Sequence, residues 1–191
     1  MYKRILDIPG CIIECGVFQG NSFALLAHLS VILEPYAINR QIIGFDSFAG
    51  FRSISPGLDP DDVSEETFSN TSQEILAEAI RLIDNCRPVN RVERFKLVPG
   101  DIVETVPRFA ADNPWLSCAL LILDSDLYLP TRVALETFLP RMNSGSVVVF
   151  DEFNYSNFSG ESLAIREVVA KRQLRIQKLP YESCSAFAVV E

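Results

Sequence analysis

The sequence has little histidine and no excess of basic residues, and it lacks a long hydrophobic run. Its 191 residues include 1 His and 17 Lys or Arg against 25 Asp or Glu, for a formal net charge of −8. Without a basic stripe to displace counterions from a phosphate backbone, a nucleic-acid partner is not expected. No apolar run reaches the roughly 18–20 residues of a membrane span, and the start of the chain lacks the apolar region of a signal peptide. We therefore expect a cytoplasmic protein that binds neither nucleic acid nor membrane.

Cysteine is present, but not in the pattern of a disulfide framework or a zinc site. The chain has 5 cysteines and no Cys-x-x-Cys pair, which is typical of free thiols in a reducing cytosol. With 48% hydrophobic residues the chain can bury an ordinary core, and its length fits one domain over residues 1–191. The sequence leaves open whether copies of this domain form a homo-oligomer.

Hydrophobic patterning predicts alternating strands and helices. Short apolar runs predict strands at residues 11–14, 41–45, 95–98, 119–123 and 146–150. Helical spacing predicts helices at residues 21–33, 71–82, 131–142 and 162–172, with another beginning at Ile102. The tail, at 174–178 and 185–190, is predicted to form a closing hairpin. This alternation predicts an α/β fold that binds ligands at the carboxyl ends of its parallel strands.

The connection over residues 49–94 is too long for a minimal α/β unit. We predict a lid-like insertion that contains its own helix. Residues 53–64 have turn-forming residues and little to bury, so this segment is expected to be mobile until a ligand orders it.

The first candidate site follows the first predicted strand. Glu14 ends the strand, the chain turns at Gly16, and a helix opens near Gly20. Such a turn lets the backbone approach a ligand closely and directs helix N–H groups at a carboxylate or phosphate. It is not the dinucleotide fingerprint, because Phe18 stands where the middle glycine belongs. A nicotinamide dehydrogenase is therefore the weaker interpretation, and a tight turn of any α/β protein is an equal alternative.

Acidic residues also follow the second and third predicted strands. Asp46 is placed where a carboxylate can accept from two ribose hydroxyls, and the alternative is a solvated residue at a strand end. Asp101 follows the third strand. It is suited either to an adenine amine or to capping the helix that begins at Ile102.

The densest group of acids follows the last two parallel strands. Asp124 and Asp126 come after residues 119–123, and Asp151 and Glu152 come after residues 146–150. Four carboxylates at adjacent strand ends repel one another unless protons or a cation lie between them. Ligands that offer only oxygen select a hard divalent ion such as Mg²⁺ or Ca²⁺. The sequence therefore predicts a divalent metal site here, with an unliganded structural group as the alternative.

With these residues identified, the chain resembles the macrocin O-methyltransferase family of S-adenosylmethionine-dependent enzymes, relatives by fold of catechol O-methyltransferase. The matching segments occur in the family's order, at residues 14–22, 43–51, 98–107, 121–153 and 164–169. The resemblance implies a Rossmann-like class I methyltransferase sheet of seven strands, mostly parallel with the last strand antiparallel. Helices are expected on both of its faces.

The resemblance also implies roles for the matching residues. The implied cofactor-binding residues are Glu14, Gly16, Gly20, Ser22, Asp46, Ser47, Asp101, Ile102 and Asp124. Within this set, the methionine part of S-adenosylmethionine would contact Gly16, Gly20 and Ser22. Asp46 would hold the ribose, and Asp101 with Ile102 would lie at the adenine edge.

For the metal, the resemblance implies Mg²⁺ held by Asp124, Asp151 and Glu152. The ion would orient a substrate hydroxyl and lower its pKa for attack on the sulfonium methyl. Asp124 and Asp151 are thus the predicted catalytic residues. The implied activity is a magnesium-assisted O-methyltransferase for a small hydroxylated acceptor, such as a sugar or natural product. The alternative is an S-adenosylmethionine-binding module that is inactive or depends on a partner.

Three features depart from the family pattern. Glu152 stands where a shorter acid or an amide is usual. The single histidine, His28, falls at an expected packing position of the first helix, so the general base is either replaced by metal activation or supplied by an acid of the insertion. The candidates there, more simply interpreted as solvated loop charges, are Asp59, Asp61 and Asp62. Finally, few residues precede the first strand, so helices that cover the substrate in longer members are not expected.

Overall fold

Seven strands form one sheet in the order β3-β2-β1-β4-β5-β7-β6 in a computed structural model that describes residues 1–191. The strands are β1 (Cys11–Cys15), β2 (Ile42–Asp46), β3 (Phe95–Pro99), β4 (Cys118–Leu123), β5 (Met142–Phe150), β6 (Ile176–Lys178) and β7 (Ala186–Val189). Every pairing is parallel except those of β7, which runs antiparallel to both β5 and β6. The predicted sheet, mostly parallel with an antiparallel last strand, is confirmed.

Five helices cover the two faces of this sheet, as predicted. They are α1 (Asn21–Leu33), α2 (Gln73–Asp84), α3 (Ile102–Asp112), α4 (Tyr128–Phe138) and α5 (Ser159–Arg172). Successive strand side chains point to opposite faces, so Ile13 of β1 packs with α3, α4 and α5, whereas Ile12 packs with α1 and α2. None of the helices combines the length and hydrophobicity needed to cross a bilayer.

The predicted bounds of α4 were wrong at both ends. The helix begins at Tyr128, not at residue 131, because a side chain from a distant part of the chain accepts the N–H of Tyr128. It ends at Phe138, and a 3-10 turn at Leu139–Arg141 leads into β5, of which Met142 is the first residue. Pro140 has no N–H to donate to the carbonyl of Glu136, so the α-helical hydrogen-bond pattern cannot continue through it.

Two buried arginines organise the amino ends of β1, β2 and β3. The Arg40 guanidinium pairs with Glu34 at 2.8 Å and donates at 2.9 Å to the carbonyl oxygens of Ile5, Ile8 and Gly10. Arg94, which is 1% exposed, donates to the carbonyls of Arg40 and Glu34 at 3.0 and 2.8 Å. The phenol of Tyr2 also donates to Glu34. This network attaches the first residues of the chain to the end of α1.

The long connection between β2 and β3 has two parts. Its helix, α2, packs on the sheet through Leu76, Ile80 and Ile83. The irregular segment over residues 47–72, called the insertion loop below, contributes residues to the cleft at the carboxyl ends of the strands.

Candidate active site

Backbone hydrogen bonds between neighbouring strands continue past the strand ends and hold the predicted site residues along one edge of the sheet. The N–H of Gly16 donates to β2 at 2.9 Å, and the N–H of Asp124 donates to β1 at 2.8 Å. The N–H of Asp151 donates to β4 at 3.0 Å. The acids that follow β4 and β5 therefore begin side by side, as the sequence predicted.

An open cleft lies over this edge. Most of the predicted cofactor-binding residues line it, namely Gly16, Asp46, Ser47, Asp101, Ile102 and Asp124. Asp126 adds another carboxylate, and Arg52 of the insertion loop is the only basic residue in the lining. Because a cleft lined by one sign of charge concentrates ligands of the opposite sign, this cleft favours a cationic ligand.

Gly16 is required by the backbone itself. Its φ is +89°, and a Cβ there would lie 1.7 Å from the carbonyl oxygen of Asp124. Only glycine tolerates this conformation and this approach. A larger residue at position 16 would therefore separate β1 from β4 before it filled any space that a ligand needs.

The remaining predicted cofactor residues, Glu14, Gly20 and Ser22, do not line the cleft. Glu14 is fully buried and accepts from the Ser22 hydroxyl, while its Oε2 is buried without a hydrogen-bond partner. Burial raises the pKa of Glu14 to about 8. Gly20 has a φ of +84°, and a Cβ there would lie 2.2 Å from Leu76, so this glycine is needed for packing α1 on α2. Contact of these three residues with a cofactor stays a prediction.

Asp46 is not a solvated strand cap. Its Oδ2 accepts from the N–H groups of Val17 and Phe18 at 2.7 and 2.8 Å, and its Oδ1 accepts from Phe48 at 2.7 Å. A carboxylate offers about four acceptor positions, so Asp46 retains about one for a ligand hydroxyl. Its first role is to shape the turn between β1 and α1.

Asp101 caps a helix and also lies in the cleft. Its Oδ1 accepts from the N–H of Val103 at 2.9 Å at the start of α3, and its other oxygen accepts from Ser53 of the insertion loop. The capping interpretation is confirmed. Although it caps α3, Asp101 still lies beside Ile102 in the cleft lining. These are the two residues predicted to border the adenine of the cofactor.

Three of the acids after β4 and β5 have a raised pKa, because they are at least partly buried and lie near other acids. Burial, followed by the charge of Asp151, raises the pKa of Asp124 well above its usual range. Burial, followed by the charge of Glu152, raises the pKa of Asp126 to about 7. Burial, followed by the charge of Asp151, also raises the pKa of Glu152. None of these acids belongs to an ion pair of the structure.

This donor set has the chemistry that a hard divalent ion requires. It offers only oxygen atoms, as such an ion prefers, and no Lys or Arg pairs with it. The Oε2 of Glu152 is buried without a hydrogen-bond partner. Asp151 accepts from Ser185 at 2.9 Å. No three His, Cys, Asp or Glu side chains come together as a ready ligand set. The assignment of Asp124, Asp151 and Glu152 as metal ligands therefore stays a prediction.

Sequence reasoning missed Glu161, a further acid at this edge. It lies in the first turn of α5 and is 0% exposed. It accepts backbone hydrogen bonds from both acid-bearing loops. The predicted helix began at residue 162, so Glu161 fell outside every predicted element, and its partners lie 35 and 9 positions away.

The expectation that Asp59 is a solvated loop charge was wrong. Asp59 is 5% exposed, and its oxygens accept from the N–H groups of Tyr128 and Ser55 at 2.7 and 2.6 Å. The N-cap residue of α4, Leu127, makes no side-chain capping bond, so Asp59 supplies the cap from the insertion loop. Asp61 and Asp62 are exposed, as expected.

An aromatic cluster attaches the insertion loop to its surroundings. The ring centroid of Phe68 lies 5.2 Å from Phe18 of the first turn, 5.4 Å from Phe51 and 6.1 Å from Phe158. Phe18, Phe51 and Phe68 also line the cleft. These aromatic residues lie outside residues 53–64, and within that segment only Asp59 is buried, so the expectation that it buries little is confirmed apart from Asp59.

The single histidine does not contribute to the site. His28 is exposed on α1, which corrects the expectation of a packing position, and it is not among the cleft residues.

Solved structures with this fold are methyltransferases. The calicheamicin methyltransferase CalS11 superposes with a TM-score of 0.91 at 34% identity, over 98% of this chain and 75% of that chain. The mycinamycin-pathway methyltransferase MycE, in complex with Mg and SAH, superposes with a TM-score of 0.54 at 14% identity, over 98% of this chain and 47% of that chain, and shows the fold alone. The sheet order is that of the class I methyltransferase fold, with a cleft at its carboxyl edge.

Within that class, the chain belongs to the macrocin O-methyltransferase family. The family profile described as Macrocin-O-methyltransferase (TylF) matches residues 4–178, which confirms the resemblance found in the sequence. The 8-demethyl-8-(2,3-dimethoxy-alpha-L-rhamnosyl)-tetracenomycin-C 4'-O-methyltransferase of Streptomyces olivaceus is 27% identical over 148 residues. The match covers 76% of this chain and 54% of the relative. The chain thus spans about half the length of this curated relative.

Proposed function

We propose that the protein transfers a methyl group from S-adenosylmethionine to a hydroxyl of a small molecule, specifically a sugar of a natural product. The observation that carries this proposal is the acidic cleft at the carboxyl edge of the sheet, which Asp46, Asp101 and Asp124 line together. The sulfonium of S-adenosylmethionine is a cation, and the excess of carboxylates in the lining favours it.

The names of the relatives support a sugar hydroxyl as the acceptor. The Streptomyces olivaceus relative is named for methylation at a 4' position of a rhamnosyl natural product. CalS11 is also described as a TDP-rhamnose 3'-O-methyltransferase. A deoxysugar such as rhamnose, free of the aglycone or attached to it, is therefore the proposed acceptor class.

Each cleft residue has a part in this proposal. Asp46 would accept from a ribose hydroxyl at its remaining acceptor position, and Asp101 with Ile102 would border the adenine. Phe51 and Phe68 would exclude water from the reacting atoms. In the proposal, Asp124, which lies in the cleft lining, orients the acceptor hydroxyl by accepting its hydrogen bond.

We further propose that Asp124, Asp151 and Glu152 hold a divalent cation, Mg²⁺. When bound, the ion would lower the pKa of the acceptor hydroxyl and balance the charge of the acids. The support is the oxygen-only donor set, in which the pKa values of Asp124 and Glu152 are raised. All five cysteines are free thiols, which supports the cytoplasm as the proposed location.

Isothermal titration with S-adenosylmethionine, NAD and Mg²⁺ tests the cofactor, and methyl transfer to TDP-rhamnose and to a rhamnosylated aglycone tests the reaction. We expect binding of S-adenosylmethionine and methylation of one of the two sugars. Binding without transfer to any hydroxylated acceptor would favour a binding module. Preferential binding of NAD would overturn the proposal.

A further inference from the structure

Glu161 lies between the two acid-bearing loops and belongs to neither. The first loop, residues 124–126, follows β4, and the second, residues 151–152, follows β5. The Oε2 of Glu161 accepts from the N–H of Asp126, and its Oε1 accepts from the N–H of Glu152, each at 3.1 Å. One buried carboxylate therefore bonds the backbones of both loops, with one oxygen for each.

This use of Glu161 is unusual for an acid in the first turn of a helix. Such an acid ordinarily interacts with the free N–H groups of its own helix. Here both oxygens bond to loops outside α5, although the side chain is fully buried beside other acids. Bonds from N–H groups to a carboxylate are stronger than neutral ones, which offsets part of the unfavourable burial.

The residues on either side of Glu161 hold α5 in the same place. A Cβ on Gly160 would lie 2.8 Å from the backbone nitrogen of Tyr128, so the helix start packs directly against the start of α4. The hydroxyl of Ser162 donates to the carbonyl of Glu152 at 3.0 Å. The whole first turn of α5 is thus fixed against both loops, and Glu161 can control their separation.

The backbone of the first loop needs such support. Asp126 has a φ of +62°, in the left-handed region that non-glycine residues rarely adopt. The bond from its N–H to Glu161 holds this conformation, and the conformation directs residues 124–126 along the cleft lining.

We propose that Glu161 is a positioning residue that sets the distance between the two acid-bearing loops and so aligns the acceptor hydroxyl for methyl transfer. The catalytic consequence rests on the proposed function, whereas the bonds to the two loops are independent of it.

The test compares E161Q with E167Q. Glutamine has the length of glutamate but only one acceptor oxygen, so its NH₂ group must face one of the two N–H donors. Glu167 is an exposed residue of the same helix that accepts from the Tyr128 hydroxyl at 2.7 Å and contacts neither loop. E161Q should therefore release one loop, and E167Q should release none.

Two measurements are expected to respond to E161Q and not to E167Q. Amide hydrogen exchange should become at least about 10-fold faster at Asp126 or Glu152, since a protecting bond is lost. For methyl transfer, kcat should fall by up to about 100-fold, as misplacement by about 1 Å can cause. The Kd for S-adenosylmethionine should change less than about 3-fold, because Glu161 is not in the cleft lining. Faster exchange with unchanged kcat would overturn the positioning role, as would unchanged exchange.

The exchange measurement separates this proposal from the proposed function. If the unaltered protein methylates no acceptor, the proposed function fails, and exchange at the two amides alone decides whether Glu161 holds the loops. If E161Q does not fold, exchange in the unaltered protein serves instead. Asp126 and Glu152 must then exchange far more slowly than the solvated loop amide of Asp61, and equal rates would overturn the proposal.

Discussion

At the amino ends of β1, β2 and β3, carbonyl oxygens and Glu34 surround the buried arginines. Groups of the chain itself therefore balance the positive charge there. At the carboxyl ends of the same sheet, burial and neighbouring acids raise the pKa of Asp124 and Asp126, and no Lys or Arg pairs with them. The amino end satisfies most of its polar groups, although the Nη2 of Arg94 is buried without a hydrogen-bond partner. The carboxyl end, whose acids have no basic partner, is where we propose the functional site.

The largest effect is expected from disrupting the arginine network at the amino ends of the strands. Arg40→Met should lower the free energy of unfolding by about 3–5 kcal/mol, because it removes the cation that pairs with Glu34 and leaves several carbonyls without a donor. Urea denaturation measures this change. A loss below about 1 kcal/mol would show that the arginine network does not hold the fold together.

Asp46→Ala, at the carboxyl end, is expected to have a smaller effect. This effect should be a loss of cofactor affinity. The variant loses a charge-assisted bond to the ribose and the turn that Asp46 holds through Val17 and Phe18. We expect affinity for S-adenosylmethionine to drop by about 1.5–3 kcal/mol, measured by titration calorimetry. Unchanged affinity would exclude Asp46 from the cofactor site.

The pH dependence of stability tests whether the acids at the carboxyl ends of the strands destabilise the fold when no cation is bound. Asp126, with a pKa of about 7, and Glu14, with a pKa of about 8, bind protons more tightly in the folded state. Their protonation therefore favours folding, and this advantage is lost as the pH rises from about 4 toward 8. In EDTA, Tm should fall over this range by about 2–4 °C for each kcal/mol lost. A Tm that rises steadily from pH 5 to pH 8 would contradict the described imbalance.

Added Mg²⁺ should reverse this loss at pH 8, since an ion that binds only the folded state raises Tm by ligand linkage. Asp124→Asn and Asp151→Asn should each remove most of the response, and Asp126→Asn should remove less. Arg40→Met serves as the matched control, because it lies at the other end of the sheet and should leave the response intact. No response to millimolar Mg²⁺, Mn²⁺ or Ca²⁺, with or without S-adenosylmethionine, would rule out the metal-assisted reaction.

The smallest effect is expected in the insertion loop. Asp59→Asn keeps an acceptor for only one of its two N–H partners and should lower stability by about 1 kcal/mol. Limited proteolysis should then cut residues 53–64 faster. Asp61→Asn, an exposed change in the same loop, should alter neither property. Equal cleavage of the two variants would show that Asp59 does not hold the loop.

The contrast between the two ends also explains what could be predicted from the sequence. The order of strands and helices and the acids at strand ends follow from local patterns, so Asp46, Asp101, Asp124 and Asp151 were found directly. Asp59 and Glu161 were not, because their partners lie up to 69 and 35 positions away and no local pattern reveals them. The Phe68 cluster was missed for the same reason.

The same argument applies to the bounds of elements. The predicted bounds of α1 match the structure, because its limits depend on residues within it. The start of α4 depends on a cap from the insertion loop, and it was misplaced. Likewise, Gly16 was recognised as a turn, but the requirement for glycine comes from the backbone of Asp124 on a neighbouring strand.

The position of β7 has a consequence for synthesis on the ribosome. β7 pairs with β5 on one side and β6 on the other, although it is made after both. The nascent chain therefore carries an open edge on β5 until residues 186–189 emerge, and such an edge favours pairing between neighbouring chains. Ser185, which donates to Asp151, arrives in the same step. Growth at reduced translation speed should thus increase aggregation more than it would for a protein whose sheet closes in chain order.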